Sequence, residues 1–343
     1  MKKLLLSFVV LPGALATAQV GINTDTPQAT LDISAKGNQE GDLRIEGVKE
    51  EISTQWLLVW NEKDQKVKRT SLSDLKWELA NEDKIKHIRD NQPDRADDII
   101  KKIKQCAPEN ILFDKHFGDG KHDFVYCATT VTETATNYNK TWLNLNLGAE
   151  YANIHSSHFD PTVNKVNKTD DEAANEDDKT YGSLYQWQRA SDGHEFRGAE
   201  TTTTQAQDWR NAGSSAFIKG NYNWVDGSEN ASGADLRLWQ AGGYNNPCPS
   251  GYHVPTVQEW QQLLNAVGSQ MYTQTKLPNL AAAGYHLYNN GSLSDSRSSG
   301  YYWSSSSEGS NSAHSMNFDR SYSGVNSYGR AYGASVRCIK DNN

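Results

Sequence analysis

The chain is 343 residues long, with a formal net charge of −8, 22% charged residues and 10% aromatic residues. An acidic balance of this size argues against a nucleic acid or an anionic membrane recognised through bulk charge. The length leaves room for a sizeable core.

At the start, Lys2 and Lys3 precede an apolar run over 4–15, and Ala16-Thr17-Ala18 offers a small-residue cleavage site before Gln19. This pattern predicts a secretory signal peptide over 1–18, cleaved after Ala18, with no cysteine there to carry a lipid. Losing the two lysines takes the formal charge from −8 to −10. No second apolar run of spanning length follows, so the mature protein is expected to be secreted or at the outer cell surface, with no membrane span. The stretch 19–33, with Gly21-Ile22-Asn23 and Leu31-Asp32-Ile33, resembles the leader at the mature start of many bacterial surface proteins and of tail-fibre-like stalks. Trp56-Leu57-Leu58-Val59-Trp60 and Lys66-Val67-Lys68-Arg69-Thr70 flank Asn61-Glu62-Lys63-Asp64, which predicts a β-hairpin. The leader is therefore assigned to 19–70. It is small enough to need help from a partner, from copies of itself or from the main domain.

Residues 71–105 are rich in charge. Leu72, Leu75, Leu79, Ile85 and Ile88 fit one helix loosely, Pro93 interrupts, and Ile99, Ile100 and Ile103 suggest a second. With no sustained heptad, the expectation is a spacer of solvated helices or a semi-rigid stalk.

The main domain is assigned to 106–343. Strands are expected over 124–134 and 141–147, joined at Asn137-Tyr138-Asn139-Lys140, with Leu143, Leu145 and Leu147 on one inward face. Tyr181, Leu184 and Tyr185 have helical spacing, and 197–240 lacks clear periodicity. Thr256 and Glu259 form a capping box ahead of Trp260, Leu263, Leu264 and Val267, with Gly268 placed to end that helix. A turn at Asn289-Asn290-Gly291 and strands near 301–306, 312–319 and 333–340 complete the reading, with Ala334, Val336 and Cys338 pointing inward. Four cysteines in an oxidising compartment favour two disulfides. Of three possible pairings, the one that closes the domain joins Cys248 to Cys338 and leaves Cys106 with Cys127. On chain-entropy grounds the larger loop is worth roughly 4–5 kcal/mol and the smaller about 3.

Several of these segments carry a family resemblance. Thr141-Trp142-Leu143-Asn144-Leu145, Tyr181-Gly182-Ser183-Leu184-Tyr185-Gln186-Trp187, Asp192-Gly193-His194, Leu238-Trp239-Gln240, Asn245-Asn246-Pro247-Cys248-Pro249-Ser250-Gly251, Tyr301-Tyr302-Trp303-Ser304 and Ser335-Val336-Arg337-Cys338 resemble the Fibrobacter succinogenes major paralogous domain, a family of exported bacterial modules. The resemblance implies a C-type-lectin-like fold, distantly related to formylglycine-generating enzymes. The expected fold class is thus α+β: short antiparallel strands, two helices and long ordered loops, after a small β-rich N-terminal region and a helical spacer. Gln92-Pro93-Asp94 copies a calcium-site tripeptide of sugar-binding C-type lectins but lies in the spacer, so it is read as coincidence.

Chemistry points away from catalysis. The cysteines are assigned to disulfides, no nucleophile elbow or phosphate loop occurs, and His194 lies in a family motif that favours burial. His155 and His158, with Asp160 nearby, could hold a metal, and the acidic runs 170–172 and 176–178 could hold calcium. Exposed loop histidines and a solvated insertion are the preferred readings, so no metal and no cofactor are assigned. Recognition is favoured by the side chains between 303 and 332: Trp303, His314, Asn317, Asp319, Arg320, Tyr322, Asn326, Tyr328, Arg330 and Tyr332. Aromatic rings with short amides are binding-surface chemistry, and lectin-fold proteins diversified by retroelements vary residues in the matching segment. The expectation is a surface protein that binds a glycan or protein ligand in adhesion. The alternative is a component or tip of a surface fibre assembled through 19–105, and an enzyme on the formylglycine-generating scaffold comes last.

Overall fold

The structure, a computed structural model, describes residues 20–22, 24–27, 31–33, 56–61, 66–166 and 174–342. The expected signal peptide, the tip of the predicted hairpin and the acidic run 170–172 lie outside the described residues. The chain divides after Gln55 into two compact units. In the first, Val20–Ile22 pairs in parallel with Leu31–Ile33.

The second unit opens with the expected hairpin, Trp56–Asn61 paired antiparallel with Lys66–Ser71. Ser71 ends the strand and caps helix α1 (Leu72–Ala80), its hydroxyl accepting from Asp74 N at 2.9 Å. Helices α2 (Glu82–Asn91) and α3 (Ala96–Ile103) follow. The solvated-spacer expectation is overturned here. Trp77, Ile85, Ile88, Ile99, Ile100 and Ile103 are buried against Phe113, Val125, Ile154 and Phe159. The breaks near Asn81 and Pro93 turn three short helices onto one apolar patch, so no single-helix periodicity survives although each helix has an inward stripe. Arg95 and Lys102 donate to the carbonyls of Ser156 (2.6 Å) and Phe159 (3.0 Å). The Cys106–Cys127 disulfide then ties the end of this layer to the strand Val125–Glu133.

The remainder is α+β. A five-stranded antiparallel sheet runs in the order Tyr252–His253, Ile339–Lys340, Tyr138–Leu143, Val125–Glu133, Ile111–Phe113. A four-stranded sheet is ordered Leu293–Ser294, Tyr285–His286, Gly333–Ala334, Tyr185–Gln186. A three-stranded antiparallel sheet joins Gly300–Glu308, Ser312–Phe318 and Ser323–Gly329. Leu143, Leu145 and Leu147 are fully buried, as their alternation predicts.

Helix α4 (Val257–Ala266) locks the sheets together. Thr256 and Glu259 form the expected capping box, and Ser269 N donates to Leu264 O at 2.8 Å across Gly268, whose φ of +78° only glycine adopts cheaply. Trp260 packs against Trp142 and Tyr302, and its indole donates to Trp303 O at 3.1 Å. Cys248–Cys338 closes the domain as expected.

Three details differ from the sequence reading. Among the described residues after 105, α4 is the one α-helix: Tyr181 follows a 3-10 turn at Asp178–Thr180, 181–184 are irregular, and Tyr185 opens a strand at Tyr185–Gln186. The expected strand over 333–340 divides into Gly333–Ala334 and Ile339–Lys340, which serve different sheets. Ser323–Gly329 is an additional strand, whose Ser-Gly-Val-Asn-Ser-Tyr-Gly sequence carries little β signal and pairs because Ser312–Phe318 beside it is strong.

Candidate binding face

Strand alternation gives the three-stranded sheet two unlike faces. On one, Tyr302, Met316, Phe318 and Val325 pack with Trp260 and Leu263 of α4. The opposite face carries Tyr301, Trp303, Ser315, Asn317, Asn326 and Tyr328, in the register Tyr301↔Asn317, Ala313↔Tyr328 and Ser315↔Asn326.

Six tyrosines meet on that second side. Tyr301 comes from the first strand of the sheet, Tyr328 and Tyr332 from its last strand and the following turn. Tyr285 and Tyr288 belong to the hairpin of the neighbouring sheet, and Tyr222 to the loop after Phe217–Ile218. Ring centroids are 4.3 Å apart for Tyr285–Tyr301, 5.0 Å for Tyr288–Tyr332, 5.1 Å for Tyr222–Tyr288 and 5.7 Å for Tyr301–Tyr328. Tyr222 is 39% exposed and the other five are half-buried. The Tyr301 hydroxyl donates to Asp295 Oδ2 at 3.0 Å, and the Tyr328 hydroxyl is bonded to the Asn317 amide at 3.0 Å. The hydroxyls of Tyr222, Tyr285, Tyr288 and Tyr332 have no hydrogen-bond partner among the described residues. Burial lifts the phenols of Tyr301 and Tyr328 and pushes Tyr332 up to about 12, so all three stay neutral at physiological pH.

The residues expected to form the binding surface divide among different places. Tyr328 and Tyr332 join the cluster, and Asn326 is exposed on the same face. Trp303 does not. It is fully buried, its indole donating to Tyr185 O at 2.7 Å, because the inner end of this face is covered by the 185–189 segment. Asn317 is also buried and holds Tyr328 from beneath. Arg330 is buried over the rings of Trp187 and Trp209, with its guanidinium on the carbonyls of Ser228, Gly309 and Ser312; burial pulls its pKa down to about 10. His314 falls on the α4 side of the sheet and pairs with Glu308 at 2.7 Å. Asp319 caps its own turn by accepting from Ser321 N and Tyr322 N. Arg320 is held by Glu176 at 2.7 Å over the ring of Tyr272, and the exposed Tyr322 lies across Gly324. Gly324 pairs with Asn317 opposite Tyr301, so the Tyr322 ring borders the cluster and its phenol adds to burial in raising that of Tyr328, whereas Asp319 and Arg320 belong to the turn beyond. Tyr222, Tyr285, Tyr288 and Tyr301 were not among the expected binding residues, although Tyr285 and Tyr288, just ahead of the expected turn at Asn289-Asn290-Gly291, were a local signal.

Outside this face, a group of buried titratable side chains is engaged with one another. His122 bonds Asp119 (2.6 Å) and Glu195 (2.8 Å), and Glu195 also accepts from Gly193 N. Burial alone would lower the His122 pKa, but the bonds to Glu195 and Asp119 outweigh it and hold the imidazole at about 9. Burial works against the Glu195 carboxylate too, yet His122 and His194 hold it well below its usual range. Asp114, buried nearby, is lifted to about 7 by desolvation. Asp192, His194 and Glu195 lie close enough to share a metal. However, His194 Nε2 accepts from Gln186 N at 3.0 Å, which places the proton on Nδ1, facing Asp192 Oδ1 at 2.8 Å. Both nitrogens are therefore occupied. His155 and His158 reach different carboxylates, Asp123 (2.7 Å) and Glu150 (2.9 Å). Gln92 Nε2 donates to His155 Nδ1, which puts the coincidental tripeptide on the domain surface. Glu176 and Asp177, expected in a solvated insertion, are instead bonded to Tyr272 and Tyr151.

Residues 137–340 match the Fibrobacter succinogenes major domain family, and the chain belongs to that family. No curated protein and no solved structure matches the chain.

Proposed function

We propose that this is an exported surface protein of lectin-like fold that recognises a glycan or protein ligand on another surface, as in adhesion, and that it does no chemistry on that ligand. The observation that carries the reading is the tyrosine cluster. Four separate segments contribute rings to one open face, and four of the six hydroxyls are left without a partner among the described residues. Rings braced by one another lose little freedom on binding, which is the property a recognition surface needs. The lectin-like assignment is supported by small sheets, long ordered loops and a disulfide between Cys248 and Cys338 that ties distant parts of one domain. Export is supported by the leader pattern at 1–18 and by two disulfides with no free cysteine among the described residues. Among those residues no helix is long and apolar enough to cross a membrane. The experiment is a combined glycan and surface-protein array probed with the chain and with its Tyr222→Ala/Tyr332→Ala variant. A ligand held by the first and lost by the second supports the reading, and a ligand held equally by both refutes this face.

A second reading, a component of a surface fibre, has its own observation. Trp56, Leu58, Trp60 and Val67 are exposed on one face of the N-terminal hairpin, Leu58 at 76%. Size-exclusion chromatography of the chain and of its Leu58→Lys/Trp60→Lys variant tests it, because the fibre reading requires self-association that the variant loses.

A further inference from the structure

We infer that the ligand of the tyrosine face is a neutral glycan, bound through sugar hydroxyls and ring faces without a metal ion. This rests on the recognition reading above and narrows it to one chemical class. The first observation is the hydroxyls of Tyr222, Tyr285, Tyr288 and Tyr332, which make no bond to a described residue and are not among the buried unbonded atoms. Four open phenols in one cluster form a set of donors and acceptors matched to a polyhydroxylated ring.

The rim agrees. Exposed Asn289 stands at the tip of the hairpin that carries Tyr288, beside Asn290, whose Oδ1 accepts from Ser292 within the turn, and exposed Asn326 shares a strand face with Tyr328. Short amides offer both a donor and an acceptor, the pairing that adjacent sugar hydroxyls take.

Charge selects neutral over acidic. An acidic glycan needs a cation beside the rings, and Arg330, two residues after Tyr328, is buried on three carbonyls. Lys219 lies at the hairpin tip, on Asn290 O at 3.3 Å. The charged group that the cluster itself touches is a carboxylate, Asp295, held by Tyr301. A uronate, sialate or sulfate placed against Tyr301 would meet the Asp295 carboxylate.

The test is isothermal titration of the full chain with cellohexaose, maltohexaose, mannohexaose and chitohexaose, and with polygalacturonate and heparin as acidic probes, each with calcium and with chelator. The expected result is binding of at least one neutral hexaose, unchanged by chelation. Tyr332→Phe, which removes a hydroxyl and keeps the ring, should weaken it about tenfold, or about 1.4 kcal/mol, at an unchanged melting temperature. Tyr222→Ala provides a second variant should Tyr332→Phe lower stability. Binding of the acidic probes alone, loss of binding on chelation, or no neutral hexaose bound overturns the inference. If a protein from the array binds instead and Tyr222→Ala/Tyr332→Ala abolishes that binding, the neutral-glycan inference fails while the recognition reading stands. If the double variant keeps every ligand, both fail.

Discussion

A Cβ added at Gly329 would stand 2.7 Å from the ring of Tyr222. The two residues are 107 positions apart in sequence, and the loop that carries Tyr222 is fixed on the strand by a bond from Ala331 N to Tyr222 O at 3.1 Å. Gly329 thus provides the floor on which the exposed ring of the cluster lies.

Gly329→Ala should therefore displace the Tyr222 ring without deleting it. Overpacking of this kind costs about 1–3 kcal/mol. The expected outcome is a modest fall in the urea midpoint together with a loss of ligand binding as large as that of Tyr222→Ala. Binding unaffected by Gly329→Ala would mean that the position of Tyr222 is irrelevant.

The two disulfides should differ in worth. Cys248–Cys338 closes a loop with a sequence separation of 90 and Cys106–Cys127 one of 21. On chain-entropy grounds, removing the first costs about 4–5 kcal/mol and the second about 3. Denaturant unfolding of Cys248→Ser/Cys338→Ser and Cys106→Ser/Cys127→Ser variants checks the order, and a larger loss from the second pair contradicts it.

Trp260→Ala should cost about 3–5 kcal/mol, since the indole is fully buried between Trp142 and Tyr302. Trp60→Ser, on the exposed hairpin face, should change the melting temperature little. Soluble yield and thermal unfolding of the two variants measure the contrast.

How much of this was legible beforehand followed the range of the interactions. The capping box at Thr256 and Glu259, the stripe from Trp260 to Val267 and the inward leucines 143, 145 and 147 are written in residues at most a few positions apart, and the structure forms each of them. Cysteine pairing was legible because only three arrangements exist. Helices α1 to α3 were recognisable as helical, but their burial depends on Phe113, Ile154 and Phe159 far along the chain. The tyrosine face was half visible for the same reason. Tyr328 and Tyr332 lie in the segment singled out from sequence, whereas Tyr222, Tyr285, Tyr288 and Tyr301 arrive through the loop, the hairpin and the sheet pairing. Trp303 was misassigned because an aromatic ring on a strand looks the same in sequence whether that end of the face is open or covered.

Stability should fall as pH rises. His122 has its folded pKa raised from 6.5 to about 9, so its contribution is complete below about 6.5 and is lost as pH climbs through about 9. Asp114, raised from 3.8 to about 7, adds a loss in the same direction at lower pH, completed as pH passes about 7. Glu195 is depressed, so its contribution is present above its ordinary 4.5 and fails only as pH falls below that. Melting temperatures should accordingly decline from pH 5 to pH 9, and His122→Gln should flatten the upper part of the decline. A profile that rises between pH 7 and pH 9 contradicts this arrangement of charges.

The central claim is that recognition takes place on the tyrosine face and not on the turn that carries Asp319 and Arg320. The direct measurement is the equilibrium affinity of a surface ligand, found on the array, for two variants: Tyr222→Ala/Tyr332→Ala and Asp319→Ala/Arg320→Ala. The expected result is that the first abolishes binding and the second leaves it within about twofold, because Asp319 bonds its own turn and Arg320 is held by Glu176 over the ring of Tyr272. Loss of binding in the second variant with retention in the first would contradict it.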